Sequence, residues 1–267
     1  MAKRNRCLLV TICGVLFVGS YALPCRCGAN DAPDTALLAY SQLEMLPRPR
    51  TVYSTDFSGE FRYQVPHRND TSGQAKLLAN GILTVRVRPG MHGASSDMPD
   101  RERAEYSHSA PLNTLVRQSF RIRVDADFAA PKRTMVAQIK PDPISPLSPP
   151  VSLYLSEQGA VKWVKYGGSK DDQDQHHVRL KNHDIDLLDG QWHQVSMEYL
   201  RSNQDGFCRV IIDEKVVVEE QGYCSNPGGE QLNVRIGIYR DAMPIEQRVH
   251  YDDWAIEVLA EKQRPVP

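Results

Sequence analysis

The chain has 267 residues, 41% of them apolar and 24% charged, with 17 Gly, 18 Pro and a formal net charge of −1. That is enough apolar material for one large core or two small ones, and it excludes collagen-like, coiled-coil and wholly disordered chains. The near-neutral balance excludes a broadly basic, nucleic-acid-binding surface.

At the N-terminus, Lys3, Arg4 and Arg6 precede an apolar run from Cys7 to Gly19, which is followed by the small residues Ser20 and Ala22. A basic start, a short apolar middle and a small-residue end read as a secretory signal peptide over residues 1–22. The run is shorter than the roughly 20 apolar residues of a membrane-spanning helix. The expected product is secreted or periplasmic, with no membrane association after cleavage. Cleavage removes three basic and no acidic residues, leaving 29 basic against 33 acidic, a net of −4. Cys7 and Cys13 leave with it. In an exported chain the remaining Cys25, Cys27, Cys208 and Cys224 could form two disulfides, and a Cys208–Cys224 bridge would staple a hairpin region. None has zinc-site spacing with histidines, so no metal site is expected there.

Residues 23–50 read as an extended N-terminal arm with one weakly helical stretch, Thr35 to Met45. From Thr51 the texture changes. Short alternating segments follow one another, among them Ile82 to Arg88, Ser119 to Phe128, Met135 to Lys140, Val151 to Leu155, Val161 to Tyr166, Cys208 to Asp213 and Val234 to Arg240. Period-two alternation rich in β-branched residues, cut by Gly, Pro, Asn and Asp turns, predicts half-buried strands. Many antiparallel strands without long helices predict an all-β sandwich of two sheets, a jelly roll, over residues 51–262 with a short tail at 263–267. The turn Asp189 to His193, then a strand, then the hairpin Gly206 to Val218 with its Asp-Glu-Lys tip, resembles the concanavalin-A-like superfamily. That fold is shared by lectins, hydrolases and lyases, so chemistry must be sought in side chains.

Three segments place polar residues on one strand face. They are Arg103-x-Glu105, Gln138-Ile-Lys140 and Arg235-Ile-Gly-Ile-Tyr239, since spacings of two and four keep side chains on the same side. Ile139, Ile236 and Ile238 then point to the core. Any one segment alone reads as an ordinary solvated sheet face. The ordered set resembles polysaccharide lyases of jelly-roll fold, closest to the heparin-lyase-I-like group with alginate and glucuronan lyases as relatives, from about Arg103 to Glu257.

The resemblance implies β-elimination on a uronic-acid polymer. The proton beside a charged uronate is poorly acidic, so the carboxylate must be neutralised, the proton removed and the departing oxygen protonated. By similarity, Arg103 and Gln138 would hold the carboxylate and Tyr239 would serve as acid, either alone in that role or as base too. Arg235, Arg240, Glu105 and His108 would line the substrate, with Arg235 and Arg240 holding positive charge beside the Tyr239 phenol. Lys140 stands where the family commonly has His. A protonated ammonium is a poor base, so Lys140 either neutralises the uronate or acts as a base with a depressed pKa. The implied partner is an anionic polysaccharide of alginate, glucuronan or glycosaminoglycan type, acted on by a monomer that needs no cofactor. Calcium has a conceivable site at Asp171-Asp172-x-Asp174, although such runs are usually just exposed.

Two other readings compete. A sandwich-fold glycoside hydrolase would need two suitably spaced carboxyl groups, for which Asp184, Asp186 and Asp189 offer a spacing. A non-catalytic binding module could stack sugar rings on Trp163 and Tyr166.

Overall fold

The computed structural model describes residues 43–63, 76–92, 100–125, 127–142, 148–156, 159–166, 173–202, 205–223 and 229–262. The expected leader, most of the arm, Cys25, Cys27, Cys224, Asp171, Asp172 and the tail lie outside them. Two antiparallel sheets stack face to face, as the alternation predicts. The first holds β12 (Lys215–Tyr223), β11 (Gly206–Ile212), β10 (His193–Leu200), β5 (Leu115–Val124), β14 (Gln247–Lys262), β3 (Ile82–Val87) and β2 (Lys76–Ala79) in that order, with β1 (Leu43–Thr55) also pairing β14. The second runs β4 (Arg101–Ala110), β13 (Gln231–Asp241), β6 (Thr134–Asp142), β7 (Val151–Leu155), β8 (Ala160–Tyr166) and β9 (Gln173–Arg179).

One local expectation fails. Leu43 to Met45, the end of the stretch read as weakly helical, belongs to β1 and pairs with Lys262 to Ala260. Strand pairing with the long β14 overrides a helix propensity that is only a weak prior. The sandwich therefore begins ahead of Thr51.

The core lies between the sheets. Ile139, Ile236 and Ile238 are all buried in it, together with Tyr106, Phe120, Tyr251 and Trp254. Burying each such aliphatic or aromatic side chain contributes about 1.5–3 kcal/mol. The β11–β12 hairpin closes through Asp213 and Glu214, both with positive φ (48° and 65°), the conformation of a type I′ turn. Asp213 also accepts hydrogen bonds from the Gln194 N–H and from His193, pinning the start of β10.

Candidate active site

The outer face of the six-stranded sheet carries the site, and the strand register decides who belongs to it. Arg103 pairs with Tyr239, Glu105 with Gly237 and Ser107 with Arg235 across β4 and β13. On the other side of β13, Arg235 pairs with Gln138 and Asn233 with Lys140. These side chains alternate with core residues and so share the outward face. A solvated sheet face would expose them. Instead Arg103, Glu105, Gln138, Asn233 and Arg235 are each no more than 5% exposed. Such polar groups, recessed on an outward face, mark a built site.

Two clusters meet there. In the first, the Gln138 amide donates to one Glu105 oxygen, and the Arg235 guanidinium reaches the other at 3.4 Å while its Nε donates to Asn233 Oδ1 at 2.7 Å. An amide nitrogen carries two protons, so Gln138 keeps one for a further acceptor. Lys140 stands beside this group. Burial, reinforced by Arg235 and Arg103 and opposed by Glu105, lowers its pKa from 10.5 to about 8. It is therefore still mainly a cation at neutral pH.

In the second cluster, the Arg103 guanidinium lies 4.7 Å from the Tyr239 ring centroid and that of Arg133 lies 5.7 Å from it. Arg133 pairs with Asp241 at 3.1 Å, a carboxylate shared with Arg101. Positive charge thus gathers around the phenol on which negative charge would develop during proton transfer. Arg103 belongs to both clusters, because it touches Tyr239 and also acts on Lys140.

The geometry of β13 depends on Gly237. Against β6, Gly237 and Ile238 stand opposite the single residue Val136, a β-bulge between the partners Ile236–Ala137 and Tyr239–Met135. Gly237 has φ of 128°, and a Cβ there would come within 2.8 Å of the Glu105 Cα. Only glycine accepts both conditions. Tyr251, rising from β14 of the other sheet, holds the bulge. Its hydroxyl lies 2.7 Å from the Val136 carbonyl and 2.9 Å from that of Gly237, and it accepts the Gly237 N–H at 3.2 Å. Complete burial pushes the Tyr251 phenol far up, so it stays neutral.

Two expected site residues lie elsewhere. Arg240 follows Tyr239 directly and so points inward. It is fully buried and bound to Glu102 at 2.7 Å, with a further bond to the Ile245 carbonyl. The cations flanking Tyr239 are Arg103 and Arg133, not Arg240. His108 shares the inward parity of Glu102 and stacks on Tyr53 at 4.4 Å, away from the polar face. Arg133 and Asn233 are members that sequence reasoning did not single out.

Of the residues behind the competing readings, the described ones lie off this face or in the core, and the side chain of Tyr166 lies outside the described residues. Asp184 caps a single 3-10 turn at Leu180–His183, Asp186 is exposed, and Asp189 accepts from Gln191 N–H and binds His193, all outside the outer face just described. Trp163 is 4% exposed and packs in the core against His176. It offers no stacking platform. A cavity of about 510 Å³ does not sit over Tyr239; it lies toward β9, lined by Ser156, Gly159, Ala160, His177 and Arg179 among others. The recessed charged groups converge at the Tyr239 face, and the cavity lies off it.

The sequence matches the polysaccharide lyase family over residues 40–255, and the chain belongs to that family. No curated protein matches it in sequence. Among solved structures it is similar to alginate lyase Aly36B, in a variant with a lysine and a tyrosine replaced by alanine and bound to an alginate tetrasaccharide. The identity there is 11%, the coverage 82% of this chain and 100% of that one, and the TM-score 0.52. A LamA variant from Zobellia galactanivorans, bound to laminaritriose and laminaritetraose, gives 12% identity, 78% and 98% coverage and a TM-score of 0.54. An endo-β-galactosidase from Clostridium perfringens gives 10%, 78% and 62%, and 0.53. At such identities the likeness shows the shared sandwich.

Proposed function

We propose that the protein is an exported lyase that cleaves a uronic-acid polysaccharide by β-elimination, with Tyr239 carrying the proton transfers. The observation that supports this best is the recessed outward set of Arg103, Gln138, Lys140, Arg235 and Tyr239. Gln138, Arg235 and the Lys140 ammonium receive the uronate carboxylate, which makes the neighbouring C–H more acidic. Tyr239, as phenolate, removes that proton. The electron pair forms a carbon–carbon double bond, the adjacent glycosidic C–O bond breaks, and the departing oxygen takes the proton back from Tyr239. Arg103 and Arg133 stabilise charge on the phenolic oxygen as the proton leaves and returns. Lys140 is assigned to charge and not to proton abstraction, because a group titrating near 8 is protonated at neutral pH. The alginate lyase complex, obtained with a lysine and a tyrosine replaced, involves the same two residue types. A leader over residues 1–22 delivers the enzyme to a secreted or periplasmic location. The mature net charge of −4 does not oppose a polyanion, since a local cationic groove dominates at short range.

The test is incubation with alginate, glucuronan, heparin and hyaluronan while following the ultraviolet absorbance of unsaturated sugar ends. Unsaturated products from at least one polymer are expected. New reducing ends without unsaturation, or binding without cleavage of any of them, would overturn the reading.

A further inference from the structure

The ladder register draws one polar line across all six strands of the site sheet. Ser107 pairs with Arg235, Arg235 with Gln138, Gln138 with Ser152, Ser152 with Lys162 and Lys162 with His177. The line thus leaves the Tyr239 region and runs toward β9. Lys162 is its outlying cation. It is 7% exposed, yet among the described residues no carboxylate lies within ion-pair distance of its ammonium. Its hydrogen bond, to Ser148 Oγ, is long at 3.4 Å. Burial lowers its pKa, and the next cause is the like charge of Arg133.

A recessed, uncompensated ammonium is costly, and a methionine of similar length would fill the space without that cost. Such an arrangement is retained where an anion arrives from outside. Two strand spacings separate Lys162 from Gln138, about 10 Å. A single carboxylate cannot meet both. Beyond Lys162 the face continues into the 510 Å³ cavity, where Arg179 adds another cation and the chain finds room.

We propose that Lys162 is a second anion-binding point, which takes the carboxylate or sulfate of a sugar next along the same polymer chain. This rests on the lyase reading for its substrate class, and it adds that the polymer crosses the strands from β13 toward β9. It makes Lys162 a specificity-determining residue for polymers acidic on more than the cleaved sugar.

The test uses the full chain with Tyr239→Phe, whose turnover is expected to be about 10²–10⁴-fold slower, alone and combined with Lys162→Met or Lys162→Arg. Affinity for alginate and for heparin is measured by calorimetry over a range of NaCl concentrations, with melting temperature as the fold control. Lys162→Met is expected to weaken binding about tenfold and to flatten the salt dependence, with the melting temperature unchanged or higher; Lys162→Arg is expected to restore both. Loss on alginate assigns a carboxylate, and loss on heparin alone assigns a sulfate. Affinity within twofold of the parent with an unchanged salt slope on both polymers, or no binding of either polymer by the parent, overturns the proposal. Absence of unsaturated products from the Tyr239 enzyme would overturn the lyase reading, while the binding comparison would still decide Lys162.

Discussion

Arg103 lays its guanidinium over the ring of Tyr239 from the directly opposed position on β4, at 4.7 Å from the centroid. The contact sets a positive charge over the ring, and in the proposed reaction the phenol of that ring gains and loses a proton. Tyr239→Phe keeps the ring and that contact and removes only the hydroxyl. The expected outcome is a loss of about 10²–10⁴ in kcat with an unchanged melting temperature, the range for a removed general acid–base. Full activity of this variant would sink the mechanism.

Lys140 gives the reaction a pH signature. Its pKa falls from 10.5 to about 8 in the fold. Below that value the ammonium is present to meet a carboxylate, and above it the charge is lost. Measured relative to Lys140→Arg, which shares the Tyr239 ionisation, kcat/KM of the free enzyme should therefore fall as pH rises through about 8. Lys140→Arg keeps its charge and should remove that fall. Folding stability moves the other way. Between about 8 and 10.5 the unfolded chain holds the proton that the folded chain has released, so this group's contribution to stability rises with pH. A ratio to Lys140→Arg that climbs through pH 8 would reassign Lys140 as the base.

The Glu102–Arg240 pair predicts a stability defect without a binding defect. Arg240→Met leaves Glu102, 2% exposed, without its cation. Removing one partner of a buried pair costs about 3–5 kcal/mol. For a domain of this size that is a drop of roughly 10 °C in melting temperature. KM measured well below that transition should stay within twofold of the parent. A large rise in KM at constant stability would return Arg240 to the substrate.

Gly237→Ala tests the bulge. The substitution forces a side chain into a positive-φ conformation and against the backbone of Glu105. The expected cost is about 2–4 kcal/mol, with activity lost beyond what unfolding explains, since Tyr239 lies two residues on. Thermal melts and assays on the same preparation separate the two effects.

The period-two pattern made most of this legible. Arg103, Glu105, Gln138, Lys140, Arg235 and Tyr239 share a face because their spacings within each segment are even. The same rule, applied to their neighbours, excludes Arg240 and His108, each an odd step from a site residue. Lys162 was hidden for a different reason. In Val161-Lys-Trp-Val-Lys-Tyr166 the two lysines stand an odd step apart, on opposite faces, and only the register across β7 and β8 shows that Lys162 shares a line with Gln138. Arg133 precedes the alternating part of β6, so no spacing connects it to Tyr239. The start of β1 was obscured by local helix propensity, which a partner more than 200 residues away overrides.

The Tyr251 hydroxyl ties the geometry of β13 to the opposite sheet. A change on β14 that shifts this phenol by a fraction of an ångström would re-aim Tyr239 through the bulge. Turnover in this enzyme is therefore open to tuning from its far side, and Tyr251→Phe should reduce kcat while leaving the polymer's affinity intact.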